Sequence, residues 1–190
     1  YTTYDDKTVM DGVSGLWCCN AGHCHPKIVE AIQKQAETLD YATAFQLGHP
    51  TIFAMAEKLV DMAPEELTHA FFTNSGSEAN DTVIRTIRRY WRLLGKPEKR
   101  YIISRKEAYH GSTIAAASLG GQSYAHEMDG LPIPEIVHID YPYWYGKGGN
   151  LSQEKFGIQK ANDLERKIKE IGPEKVAAFI GEPIQGAGGM

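Results

Sequence analysis

Between positions 79 and 94 apolar residues return at helical spacing, at Ala79, Val83, Ile87, Tyr90 or Trp91 and Leu94, with Arg85, Arg88, Arg89 and Arg92 between them. The pattern predicts a helix that opens directly after Ser75. A second stripe, Ile28, Val29, Ile32, Ala36 and Leu39, follows Pro26, a residue suited to the first helical position. A third helix is expected from near Pro50 to Pro64, with Phe53, Ala56, Leu59 and Val60 inward. A small-residue helix over about 112–119 is closed by Gly120-Gly121, and a longer one through Ala161, Leu164, Ile168 and Ile171 stops at Gly172-Pro173.

Short runs between these stripes read as strands: Phe71-Phe72-Thr73, then 101–104, 136–139 and 176–180. The last is apolar throughout, as a strand covered on both faces must be. Residues 1–16 read as a hairpin, and 41–49 and 140–150 as loops. Strands alternating with helices predict an α/β fold, a mostly parallel sheet covered by helices on both faces.

Composition narrows the function. The chain of 190 residues is 42% hydrophobic and 23% charged, enough for a real core and unlike a disordered segment. A net charge of -4 argues against a nucleic-acid surface, so the four arginines of the 79–94 helix are expected on a solvated face or in ion pairs. No apolar run approaches the ~20 residues of a membrane helix, so no membrane partner is expected. Tyr1 at one end and the glycine loop Gly186-Ala187-Gly188-Gly189-Met190 at the other suggest a segment of a longer chain. Cys18, Cys19 and Cys24 are too few and too close for a disulfide framework, which favours a reducing compartment. With His23 and His25 they invite a zinc reading, but the paired-ligand spacing is missing and no metal site is expected.

In open α/β sheets ligands gather at the carboxyl ends of strands. Three clusters fall there: Ser75-Gly76-Ser77, Tyr109-His110-Gly111 and Glu182-Pro183. The first suits a phosphate, because a helix start presents free N–H groups and glycine admits an anion to the backbone. The same residues also spell a capping box, Ser75 with Glu78, which needs no ligand. Tyr109 either covers a flat heteroaromatic group or packs, Glu182 polarises or merely caps, and His110 is a base or a structural group. Trp17, among small residues, lines a pocket or fills a core. Gly181-x-x-x-x-Gly186 and Gly146-Lys147-Gly148 lack the continuation of a P-loop, and no dinucleotide fingerprint is present.

Taken together, Asn74-Ser75-Gly76-Ser77-Glu78-Ala79-Asn80, Tyr109-His110-Gly111-Ser112-Thr113 and Gly181-Glu182-Pro183-Ile184-Gln185-Gly186-Ala187-Gly188-Gly189 resemble the class III aminotransferases, pyridoxal-phosphate enzymes of fold type I. Asp11-Gly12-x-Ser14-Gly15-Leu16-Trp17-Cys18 and Gly22-His23-x-His25-Pro26 resemble the same family, most closely its ω-amino acid:pyruvate branch. The similarity spans essentially the whole chain.

The resemblance implies that 1–45 is an N-terminal segment of a small domain with its linker, and that 46–190 begins the large, coenzyme-binding domain. It assigns Ser75, Gly76 and Ser77 to the phosphate of pyridoxal 5'-phosphate, Tyr109 to a stack on its ring and Glu182 to support near that ring. Trp17 and Phe45 would line the substrate pocket. It implies transamination from an ω-amino acid or amine to a keto acid such as pyruvate, in a cytoplasmic homodimer. No catalytic residue is assignable within 1–190, because the family's Schiff-base lysine, its aspartate and its substrate-binding arginine come after the glycine loop. Lys147 does not match the lysine motif. Sibling chemistries of the family, aminomutase or dialkylglycine-type decarboxylation, and a noncatalytic phosphate-ligand protein of the same fold are the alternatives.

Overall fold

The structure, a computed structural model, describes residues 1–188, the side chains of residues 128 and 129 excepted, so Gly189 of the last motif lies outside the described residues. Contacts divide the chain into two compact units, Tyr1–Ala70 and Phe71–Met190.

The first unit opens with an isolated antiparallel bridge between Thr2 and Thr8, the expected hairpin. A single turn, α1 (Ser14–Trp17), follows, and it is left-handed: φ is +51° at Ser14, +58° at Gly15, +54° at Leu16 and +67° at Trp17. L-residues resist this conformation by roughly 1–2 kcal/mol each, so Ser14, Leu16 and Trp17, the three non-glycine residues of the turn, must be held from outside it. Helices α2 (Pro26–Thr38) and α3 (Pro50–Met62) each begin on the predicted proline. The division by compactness thus keeps α3 with the first unit, downstream of the 45/46 position expected for a domain boundary.

The second unit is built from α4 (Gly76–Leu93), β1 (Tyr101–Arg105), α5 (Ile114–Leu119), α6 (Ser123–Asp129), β2 (Ile136–Ile139), α7 (Trp144–Lys147), α8 (Gln153–Ile171) and β3 (Val176–Phe179). The strands pair in parallel in the order β2-β1-β3, with Ile103 opposite Val137 on one side and Phe179 on the other. In the central strand Ile102, Ile103 and Ser104 are all buried. Successive strand residues point to opposite faces, so both faces are covered, as expected. For parallel strands in this order the right-handed crossover rule assigns the α5–α6 connection to one face and α8 to the other. The core cluster joins Ile84, Ile102, Leu119 and Ile136, with Ala115, Ile133 and Ile180 against it.

Four details differ from the sequence pattern. Phe71-Phe72-Thr73 is not a strand: Phe71 is 79% exposed, and a strand exists only by pairing, which nothing among the described residues offers here. On α4 the buried position is Ile84 and not Val83, which is exposed. The packed face is phased through Asn80, whose Nδ2 donates to the carbonyl of His110 at 2.6 Å, and Trp91, whose Nε1 donates to the carbonyl of Ala177 at 2.9 Å. A polar residue on the inner face misled the apolar count. The short helix α7 falls in the expected loop 140–150 and α6 in a stretch given no element, both being too brief to show periodicity.

The four arginines of α4, Arg85, Arg88, Arg89 and Arg92, line an open cleft with Phe71, Thr82 and Pro97, and Arg88 also pairs with Glu135 at 3.2 Å, as does Arg100 at 3.0 Å. The cleft contains none of the expected site residues. No described helix is long and apolar enough to cross a membrane.

Candidate active site

Ser75 is the N-cap of α4, and its Oγ accepts the N–H of Glu78 at 3.1 Å. The reciprocal half of the capping box falls one residue early: Glu78 Oε2 accepts from the backbone N–H of Asn74 at 2.9 Å and from its Nδ2 at 3.1 Å. Capping therefore uses the third helical N–H and leaves those of Gly76 and Ser77, the first two, pointing out of the helix. A Cβ at Gly76 would meet nothing within 4 Å. Capping and anion binding are compatible here.

Ser77 is fixed from the other side. Its Oγ accepts the backbone N–H of Ser112 at 3.0 Å, which leaves its own hydroxyl proton to donate. The approach is close enough to demand a glycine, because a Cβ at Gly111, where φ is +131°, would fall 2.5 Å from that Oγ and 2.9 Å from the Ser77 Cα. Two further bonds tie the same segments: Asn80 to the carbonyl of His110, and Thr113 Oγ1 to Asp81 Oδ1 at 2.7 Å. Thr113 also caps α5 through the N–H of Ala116.

Glu182, just past β3, uses both carboxylate oxygens on backbone: Oε1 accepts the N–H of Tyr109 at 3.0 Å and Oε2 that of Gly186 at 3.1 Å. Its own carbonyl accepts from Arg105 Nη1 at 2.9 Å. Glu182 thus fixes where Tyr109 sits after β1, and leaves Tyr109 48% exposed. His110 Nε2 is buried with no partner among the described residues. Burial lowers its pKa against the opposing charge of Glu182, with Arg105 adding to the fall, so the ring is neutral at pH 7.

The structure brings Ser77 against the 109–113 segment and that segment against Glu182. Trp17 and Phe45 belong to the first unit, where both are displayed, 58% and 78% exposed. Lys147 donates to Asp140 at 2.8 Å and lies over the Tyr141 ring at 4.1 Å, a structural placement. Among the described residues no group of three or more His, Cys, Asp or Glu is placed to hold a metal ion.

A family profile described as Aminotransferase class-III matches residues 1–190. The chain belongs to the class-III aminotransferases. Among curated relatives, this aminotransferase segment is 51% identical over 187 residues to a putrescine–pyruvate aminotransferase of Pseudomonas aeruginosa, covering 98% of the segment and 41% of that protein. It is 40% identical over 189 residues to an omega-amino acid–pyruvate aminotransferase of Pseudomonas putida, covering 98% of the segment and 42% of that protein. A solved transaminase structure with L-alanine superposes with a TM-score of 0.94 at 44% identity, covering 98% of the segment and 44% of that chain. The segment therefore spans less than half the length of these relatives.

The ties Asn80–His110, Asp81–Thr113 and Ser77–Ser112 are what the sequence reading of this aminotransferase did not provide. Five of the six residues lie inside the quoted motifs and Asp81 directly follows one, yet spacing along the chain cannot say which members of two motifs touch.

Proposed function

We propose that the complete protein is a pyridoxal-phosphate-dependent transaminase that moves an amino group from an ω-amino acid or amine to a keto acid such as pyruvate. The observation that carries this reading is the start of α4, where two free backbone N–H groups and the Ser77 hydroxyl proton stand together over an open glycine. That donor set fits a phosphate dianion, favoured further by the positive end of the helix dipole. Ser75, Gly76 and Ser77 would hold the phosphate. The exposed face of Tyr109 would cover the ring, and Glu182 keeps Tyr109 in place through its backbone N–H while remaining beside it. When bound, the coenzyme supplies the electron sink for breaking the donor's C–H bond. The protein's part is to anchor, orient and shelter it.

Trp17 and Phe45 are proposed to line the substrate pocket. The relatives named for pyruvate and the transaminase solved with L-alanine support the acceptor, and putrescine and ω-amino acids set the donor class. A homodimer, a cytoplasmic location and a division into a small-domain segment, 1–45, and a large-domain portion from 46 onward belong to the same proposal.

The test uses the complete protein. Alanine is expected from pyruvate with a panel of diamines and ω-amino acids, and Ser77→Ala is expected to weaken coenzyme binding roughly tenfold or more, a charged hydrogen bond contributing about 1.5–3 kcal/mol. No alanine with any donor, or a Ser77→Ala affinity within about twofold of the unaltered protein, overturns the reading.

A further inference from the structure

The left-handed turn α1 is fastened by a carboxylate outside it. Asp11 Oδ1 accepts the N–H of Val13 at 3.0 Å, and Oδ2 accepts that of Gly15, inside the turn, at 2.7 Å. His23 Nε2 meets the same Oδ2 at 2.7 Å, and the Tyr1 hydroxyl donates to it at 3.2 Å. The His23 ring also borders Gly15, where a Cβ would lie 3.5 Å from His23 Cε1 and 3.0 Å from Cys19 Sγ. Inside the turn Trp17 donates its N–H to the carbonyl of Val13 at 2.9 Å, and Cys19 closes it by donating to Ser14 at 2.8 Å. Bonds from His23 first, then from Val13, Gly15 and Tyr1, outweigh desolvation and hold the Asp11 carboxyl at about 2, so it is an anion throughout the working range.

The turn displays two large side chains, Leu16 and Trp17, both exposed. Three non-glycine residues among four successive positions with positive φ do not stay there unaided, and such strain persists where the surroundings over-determine it. We propose that Asp11 is a positioning residue for donor selection, which through the Gly15 N–H and the His23 ring fixes the turn that presents Leu16 and Trp17 to the amine. The inference rests on the proposed reading of Trp17 as a pocket residue. Asp11 touches no substrate. It sets the pocket wall by deciding the backbone path that the wall grows from.

The experiment uses the complete, coenzyme-loaded protein and compares kcat/KM for a small donor, β-alanine, with that for a bulky one, 1-phenylethylamine, in Asp11→Ala, Trp17→Ala and the double variant. Coenzyme absorbance checks that the loaded site is intact. Asp11→Ala is expected to shift the selectivity ratio about tenfold, in the direction Trp17→Ala shifts it, and to add less than about twofold in the Trp17→Ala background. Should Asp11→Ala fail to fold, His23→Ala removes one donor from the same carboxylate and is expected to shift the ratio about threefold. If Trp17→Ala shifts the ratio but Asp11→Ala, or its His23→Ala substitute, does not, or if the two effects are fully additive, the inference is overturned and the pocket reading stands. If Trp17→Ala leaves the ratio unchanged, the pocket reading of Trp17 falls and takes the inference with it.

Discussion

The two compact units treat the same kind of pattern in opposite ways. In the second unit apolar stripes meet a sheet, and Ile103, at 0% exposure, and Leu119 vanish from solvent. In the first unit α2 and α3 carry stripes just as regular, yet no residue of either helix is buried, and Ile32 is 64% exposed. The difference shows that periodicity reports which face wants cover, not what covers it. The second unit supplies its own partner layers. The first shows instead local turn bonds, such as Asp11 with Gly15, and a side-chain bond between helices, Thr51 with Gln35 at 3.0 Å.

The sharpest way to break this contrast is a matched pair of truncations. In the segment 1–190, Ile103→Ala is expected to cost about 2–5 kcal/mol in urea unfolding, whereas Ile32→Ala should cost less than about 0.5. Equal costs would mean that the first unit has a core after all. Gly111→Ala probes the joint within the second unit. The new Cβ meets Ser77 Oγ at 2.5 Å in a backbone conformation that L-residues avoid, so a loss of about 2–4 kcal/mol is expected. In the complete protein the same change should weaken coenzyme binding, read by titration of its absorbance.

The smallest effect is electrostatic. At Asp140 burial opposes ionisation, but bonds from Lys147 and Lys160, helped by the N–H of Tyr141, prevail and hold the carboxyl at about 2 against an ordinary 3.8. A depressed folded-state pKa contributes stability that is full above about pH 4 and is lost as the pH falls through 2. Asp140 and Lys147 are 31% and 39% exposed and so partly screened by solvent, and Asp140→Asn should lower stability at pH 7 by about 1 kcal/mol, with the gap between the two proteins closing by about pH 2. A gap that widens on acidification would contradict the assignment.

Much of this was legible in the sequence, for identifiable reasons. The helix starts at Pro26, Pro50 and Ser75 are written in single residues that fix φ or cap an N–H. The expected strands at 101–104, 136–139 and 176–180 are short runs rich in β-branched or other apolar residues, the last apolar throughout, and all three occur. Phe71-Phe72-Thr73 has the composition of a strand, but pairing is a property of two segments and one segment cannot declare it. Asn80 illustrates the opposite failure. A half-buried amide looks like a surface residue until its acceptor, the carbonyl of His110, thirty positions away, is known. Asp11 was legible as part of a motif, but its service to a left-handed turn was not, because no pattern of types announces backbone handedness.

The Ser77 hydroxyl sits between two partners of unlike character, an amide proton of a neighbouring loop on one side and open space on the other. An oxygen that donates outward becomes richer in electron density and so a better acceptor inward. An anion settling at the mouth of α4 therefore tightens its grip on Ser112 as well. With the coenzyme held as proposed, the loop that bears Tyr109 would be firmest when the cradle is full, and a coenzyme that helps build the wall it leans on would be harder to dislodge than its own contacts alone would make it.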